Sequence, residues 1–257
     1  KVVRGTRRKG RANAHEPALP VEIPRCPAHL GAKAKREWKR VSRDLAGLLH
    51  GGDERWVFPS RQEMADAKLE SFKAEVAQDP EVIRKASAVV LPGVGAFKDC
   101  MKNLTTLQLI GPIVEHIQKG KPYLGICLGM QILFSESEEF GKTPGLNLIP
   151  GKVVRFHFEQ AAQDPSDLHK IPHMGWNTIC KVKNPPILKE VPDQTYLYFV
   201  HSYYVVPDNP DVIATTTHYG MDFTSMIWKE NIFATQFHPE KSQKAGLSIL
   251  KQFAMMA

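Results

Sequence analysis

Cys127 stands between two glycines, Gly125 and Gly129, after a short apolar run and before residues 130–134, whose apolar members recur at helical spacing. This pattern predicts a strand, a tight turn and a helix. The glycines leave room for a sharp bend that exposes a nucleophile at the end of the strand. A thiol at a helix N-terminus is also favoured as thiolate by the free N–H groups and the helix dipole. We therefore predict a nucleophilic cysteine; the alternative is a small buried apolar residue.

A histidine and a carboxylate two residues apart, His238 and Glu240, follow a strand-like run at residues 231–236. A histidine at a strand end can take a proton from a thiol, and a neighbouring carboxylate can hold the ring in the required tautomer. We predict that Cys127, His238 and Glu240 converge as nucleophile, general base and orienting group.

A second glycine turn, at residues 92–97, lies between a predicted strand and a predicted helix. The backbone N–H groups of Val94 and Gly95 in this turn are available to a developing oxyanion. The N–H of Leu128, which follows the nucleophile, is a third donor of the same kind. These three residues are the predicted oxyanion hole.

With these elements in this order, the chain resembles the triad-type, class I glutamine amidotransferases, and within them the glutaminase subunits of imidazole glycerol phosphate synthase. The resemblance covers about residues 75–257. It is carried by PGVGAF at 92–97, GICLGMQ at 125–131, GLNLIPGKVVRF at 145–156, KIPHMGWN at 170–177, FVHSYY at 199–204 and ATQFHPEKSQKAG at 234–246.

The resemblance implies hydrolysis of L-glutamine to glutamate and ammonia through the Cys127, His238 and Glu240 triad, without a metal or another cofactor. It also implies a set of substrate-binding residues. These are Gln131, Glu139 and the backbone of His201, Ser202 and Tyr203.

Family members act as heterodimers with a (β/α)8-barrel cyclase that receives ammonia through a tunnel and makes imidazole glycerol phosphate in histidine biosynthesis. Ammonia loses its nucleophilicity when bulk water protonates it, which is a physical reason for a closed passage. By resemblance, one segment would lie at the interface with the cyclase. Its predicted contact residues are His173, Met174, Trp176 and Asn177.

Composition and element order agree with an α/β enzyme. Strands and helices alternate from residue 79 onward, which predicts a mostly parallel sheet flanked by helices. The sequence contains no apolar run of membrane-spanning length and no apolar segment behind the basic N-terminus, so we expect a cytoplasmic protein. The cysteines are widely separated with no C-x-x-C pair, which predicts neither a zinc site nor a disulfide framework.

The net charge of +7 comes from the N-terminal part of the chain. We predict that residues 1–53 form a basic, partly disordered extension with one helix, and that residues 1–29 are a disordered arm. Residues 7–45 resemble the start of small terminase subunits of tailed phages. The alternative function is therefore weak, sequence-blind binding of nucleic-acid phosphates by this arm, or phage DNA packaging.

The predicted amidotransferase domain spans residues 54–257, but its first strand and helix are atypical. Family members open with a strand inside the parallel sheet, followed by a glycine-asparagine turn. Only residues 55–58 offer a strand in the corresponding place, and the strand at residues 73–78 then resumes the family pattern. A missing central strand would leave ladder hydrogen bonds unpaired. An inactive chimeric chain with an incomplete sheet is therefore a further alternative.

Overall fold

Strands and helices alternate along residues 2–7, 72–158 and 170–257, the parts of the chain that this computed structural model describes. The strands are β1 (Val2–Arg7), β2 (Phe72–Ala77), β3 (Ala88–Gly93), β4 (Tyr123–Cys127), β5 (Phe134–Ser137), β6 (Thr143–Pro144), β7 (Ile149–Arg155), β8 (His173–Thr178), β9 (Cys180–Lys181), β10 (Tyr196–His201), β11 (Tyr203–Pro207), β12 (Ile213–His218), β13 (Asp222–Lys229) and β14 (Ile232–Thr235). The α-helices are α1 (Pro80–Lys85), α2 (Phe97–Thr106), α3 (Ile110–Gln118), α4 (Leu128–Gln131) and α5 (Gln243–Ala254).

The main sheet has the strand order β2-β1-β3-β4-β14-β13-β11-β7-β5-β6, with β12 and β9 attached beside β13. Pairing is parallel from β3 through β4 to β14, and antiparallel from β14 through β13 and β11 to β7. The sheet is therefore mixed, and its parallel centre carries Cys127. The pairing changes from parallel to antiparallel because short turns, rather than helices, join β12, β13 and β14.

The centre of the sheet is buried on both faces, as shown by β3, whose residues alternate between two apolar clusters. Val89 and Leu91 belong to the cluster that contains residues of α1, α2 and α3, whereas Ala88 and Val90 pack into the cluster that contains residues of α5. Such a strand reads as a continuous apolar run rather than an alternating one. The predicted α/β layering, with helices on both sides of the sheet, is observed.

The first strand of the described chain, β1, lies between β2 and β3 and pairs antiparallel with both. Residues 2–7 therefore differ from the predicted disordered arm. Two strands that are not adjacent need a third between them to satisfy their ladder N–H and C=O groups, and β1 fills that position. The predicted strand at residues 73–78 is observed as β2.

Several N-terminal predictions lie outside the described residues. These are the rest of the arm, the helix within residues 1–53 and its binding of nucleic acid, and the candidate strand at residues 55–58. They stay predictions.

Candidate active site

Cys127 is the last residue of β4 and adopts φ 54° and ψ −107°, a conformation that costs a non-glycine residue about 1–3 kcal/mol. The surrounding backbone is tightly packed. A Cβ on Gly125 would overlap the carbonyl oxygen of Gly129, and a Cβ on Gly129 would overlap the carbonyl oxygen of Leu91. Both glycines are therefore required for the sharp turn that the sequence predicts.

The predicted general base, His238, is paired with Glu240. The His238 Nδ1 and Glu240 Oε1 atoms lie 2.6 Å apart. His238 follows β14, the parallel neighbour of β4, so the imidazole and the thiol come from adjacent strand ends. A 3-10 helix at Pro239–Lys241 turns the chain so that the Glu240 carboxylate meets the ring. The backbone N–H of His238 donates to the Tyr198 carbonyl at 2.8 Å, which holds the turn against β10.

The His238 side chain is only 2% exposed, yet its pKa is raised rather than lowered. Burial alone would lower its pKa, but the Glu240 carboxylate and the Cys127 sulfur together outweigh burial and raise the pKa of His238 to about 10. The same ion pair lowers the pKa of the buried Glu240 carboxyl, against the effect of its burial. The site therefore favours an imidazolium between a carboxylate and a sulfur.

The predicted oxyanion residues lie on both sides of Cys127. Leu128 begins helix α4, so its N–H is one of the first-turn donors that an α-helix leaves without an intrahelical partner. Val94 and Gly95 follow β3, in which Gly93 is in register with Cys127. Gly95 has φ 107°, a conformation that glycine adopts readily.

A family model described as class-I glutamine amidotransferase matches residues 61–257, which is most of the chain. The chain belongs to the class I glutamine amidotransferases. The predicted family is confirmed.

Individual relatives of the chain are subunits of imidazole glycerol phosphate synthase. The HisH subunit of imidazole glycerol phosphate synthase from Geobacter metallireducens is 54% identical over 184 residues, which are 72% of this chain and 87% of that subunit. The HisH subunit from Geobacter sulfurreducens is 52% identical over 185 residues, which are 72% of this chain and 88% of that subunit. A crystal structure of a glutamine amidotransferase has the same fold, with a TM-score of 0.51 and 16% identity over 77% of this chain and 96% of that one.

Two predicted substrate-binding residues of this amidotransferase meet inside the protein. The Gln131 amide nitrogen donates to the Tyr203 carbonyl oxygen and to Gln236 Oε1, both at 3.1 Å. Both amide hydrogens of Gln131 are therefore used within the protein. Glu139 accepts a hydrogen bond of 2.6 Å from the N–H of Phe97, at the start of helix α2 and next to the oxyanion turn.

The other predicted binding segment runs through His201, Ser202 and Tyr203, where the chain leaves β10 and enters β11 in a different sheet. The His201 ring is buried and points into the protein, with Nδ1 donating to the Tyr203 carbonyl at 2.8 Å. The Ser202 carbonyl accepts the N–H of Phe156 at 3.1 Å. The remaining backbone groups of this amidotransferase segment are those that could meet a substrate.

The predicted partner-contact residues divide into an exposed and a buried group. Met174 and Trp176 are 37% and 45% exposed, and the Trp176 ring contacts Tyr198 edge-on at 6.1 Å between centroids. His173 differs from the prediction, because it is buried and stacks on Phe199 and Tyr219. Consecutive residues of a strand face opposite sides, which separates His173 from Met174.

Sequence reasoning missed Gln236, whose amide nitrogen lies 3.5 Å from the Cys127 sulfur. A signal was present, since Gln236 is a polar residue that directly follows a buried strand, Ile232–Thr235. In the described parts of the chain, no group of three or more His, Cys, Asp or Glu side chains could hold a metal ion. No helix in those parts is both long enough and apolar enough to cross a membrane.

Proposed function

We propose that this chain is the glutaminase subunit of an imidazole glycerol phosphate synthase. It would hydrolyse L-glutamine to glutamate and ammonia, and pass the ammonia to a cyclase subunit. The observation that carries this proposal is the meeting of Cys127, His238 and Glu240 at adjacent strand ends. The names of the Geobacter relatives supply the synthase, and the resemblance to its glutaminase subunits supplies the pathway. Histidine biosynthesis of this kind would take place in the cytoplasm.

In the proposed reaction, the Cys127 thiolate attacks the carboxamide carbon of glutamine. Negative charge moves to the amide oxygen, where the N–H groups of Leu128, Val94 and Gly95 would receive it. The His238 imidazolium gives its proton to the departing nitrogen, so that ammonia leaves and a thioester remains. Neutral His238 then takes a proton from water as the hydroxyl attacks the thioester, and the thiolate is released.

Glu240 supports both steps by stabilising the imidazolium and fixing the ring. Its carboxylate contacts Nδ1, so the opposite nitrogen, Nε2, is the one left to exchange protons with sulfur, ammonia and water. The Nε2 atom of His238 is buried and makes no hydrogen bond to a nitrogen or oxygen atom of the described residues. A buried base with one unoccupied nitrogen is the arrangement that general acid and base catalysis needs.

Substrate recognition would combine the Gln131 carbonyl oxygen, Glu139 and the backbone at His201, Ser202 and Tyr203. The proposed cyclase surface is formed by Met174 and Trp176 on β8, whereas Asn177 lies on the opposite face of the strand, where its amide contacts the His173 ring. Aromatic and Met side chains that are partly exposed are common at the centres of protein interfaces, and Trp176 would be the anchor.

The test uses the full chain mixed with a purified cyclase subunit of imidazole glycerol phosphate synthase from Geobacter metallireducens. Glutamate release is measured with glutamine as the substrate. We expect release by the natural chain, its loss in Cys127→Ser with glutamine binding retained in calorimetry, and no change in Cys180→Ser, which alters an exposed cysteine. The proposal fails if the natural chain releases no glutamate while the relative's own HisH subunit does so in the same assay.

A further inference from the structure

A chain of three hydrogen bonds leads from a backbone carbonyl to the nucleophile. The Gln131 amide nitrogen donates to the Tyr203 carbonyl oxygen at 3.1 Å. The same nitrogen donates to Gln236 Oε1 at 3.1 Å. The Gln236 amide nitrogen then donates to the Cys127 sulfur at 3.5 Å.

The direction of this chain follows from its first member. A backbone carbonyl can only accept, so Gln131 must present its nitrogen to Tyr203. The second hydrogen of that nitrogen requires an acceptor, so Gln236 must present its oxygen to Gln131. Gln236 is thereby left with its nitrogen toward Cys127, and the opposite amide orientation would break two of the three bonds.

Gln236 is held firmly in this position. Its side chain is 0% exposed, and its backbone N–H donates to the Ser225 carbonyl at 2.9 Å. It directly follows β14 and lies two residues before His238. The strand end that supplies the base thus also supplies an amide donor to the same sulfur.

A buried amide must be hydrogen-bonded to offset its lost hydration, and a thiolate is a stronger acceptor than a thiol. We propose that Gln236 is a further catalytic residue, whose amide N–H stabilises the Cys127 thiolate, and that Gln131 positions it by fixing the orientation of that amide. The inference rests on the proposed function, because it assigns to the nucleophile Cys127 a hydrogen-bond donor in addition to His238. The titratable side chains beside the sulfur are His238, with Glu240 behind it, and neither residue is altered in the Gln236 variants.

The test measures the reaction of Cys127 with iodoacetamide in the full chain without glutamine, between pH 5 and 9, by mass spectrometry of the Cys127 peptide. Gln236→Met keeps the side-chain length and removes the N–H donor. We expect the pH midpoint of alkylation to rise by about one unit, so that alkylation slows about tenfold at pH values below that midpoint. Gln118→Met makes the same change at an exposed residue and should react like the natural chain.

Two further variants keep the test decisive if Gln236→Met folds poorly. Gln236→Glu preserves the shape and the acceptor for Gln131 but places an oxygen beside the sulfur, so alkylation should slow by more than tenfold. Gln131→Met lets the Gln236 amide reorient and should slow alkylation by a smaller factor. In the glutaminase assay, Gln236→Met should lower kcat about tenfold and change the KM for glutamine less than twofold.

The outcomes separate this inference from the proposed function. Unchanged alkylation and kcat in both Gln236 variants would overturn the role of Gln236 and leave the glutaminase intact. If Cys127 of the natural chain reacted no faster than the exposed Cys180, the nucleophile itself would be wrong, and the proposed function would fail with it.

Discussion

Two buried histidine sites of this amidotransferase take opposite charge states. His238 contacts the Glu240 carboxylate at 2.6 Å, and its pKa is raised to about 10. His201 is similarly buried, but its Nδ1 donates to the Tyr203 carbonyl, and its pKa is lowered to about 3, chiefly by burial and then by His173. A carbonyl is a dipole and offsets less of the lost hydration than a full charge does.

The neutral site is fully paired without any charge. His201 must carry its proton on Nδ1, so its Nε2 accepts from His173 Nδ1 at 3.0 Å. His173 Nε2 then accepts from the Asn177 amide at 3.3 Å. The comparison teaches that burial does not decide whether a histidine is charged; the partner of its ring nitrogens does.

The two sites also respond to pH in opposite ways. The raised pKa of His238 stabilises the fold below its unfolded pKa of 6.5, and this contribution is lost as pH rises through about 10. The lowered pKa of His201 has the reverse effect. Its contribution to the free energy of unfolding is present above pH 6.5 and is lost as pH falls toward about 3. The reason is that the unfolded chain binds a proton at His201 in this range and the folded chain does not.

The largest expected difference between the two sites is in catalysis. His238→Asn should lower glutamate release by roughly 100-fold to 10,000-fold, because it removes the proton-transfer group. His201→Asn should lower it by about tenfold at most, since the ring acts only through the Tyr203 backbone. Both are measured as kcat/KM for glutamine with the cyclase subunit. Equal losses would show that the charged and neutral sites share one role.

A smaller difference is expected in stability at acid pH. Between pH 6.5 and 5.0, His201 should destabilise the natural chain by up to about 2 kcal/mol, and His201→Gln should remove that part of the decline. Urea unfolding at both pH values measures it. His157→Gln changes an exposed histidine and is the matched control. An acid slope that is the same in all three proteins would contradict a neutral His201.

The smallest effect is expected at an exposed pair with nearly the same distance between its atoms as the His238–Glu240 pair. His218 Nδ1 lies 2.8 Å from Asp222 Oδ1, but the two side chains are 72% and 75% exposed. Water screens such a pair, so His218→Gln should change the free energy of unfolding at pH 6 by less than about 0.5 kcal/mol. A loss above 1 kcal/mol in urea unfolding would mean that distance, rather than exclusion of water, sets the strength of these pairs.

Some local structure could not be predicted because one apolar pattern fits several structures. The apolar spacing after Cys127 predicted a helix through residue 134, but α4 ends at Gln131 and Phe134 begins β5. Short apolar runs suit a buried strand as well as a helix. Nothing in the sequence of residues 196–205 marks a strand end, yet the structure divides these residues at Ser202 between two sheets.

By itself, the sequence determined the family and the α/β class, and it predicted which residues act as nucleophile, base and orienting group. Local patterns encode a strand, a turn and a helix start, and these place Cys127 at a strand end and His238 shortly after another. Only the tertiary structure decided which histidine carries a proton and which atom of Gln236 faces the sulfur. It also decided that residues 2–7 enter the sheet. Each of these three features depends on partners far away in the chain and on the exclusion of water around them. Neither the distant partners nor the exclusion of water can be predicted from neighbouring residues.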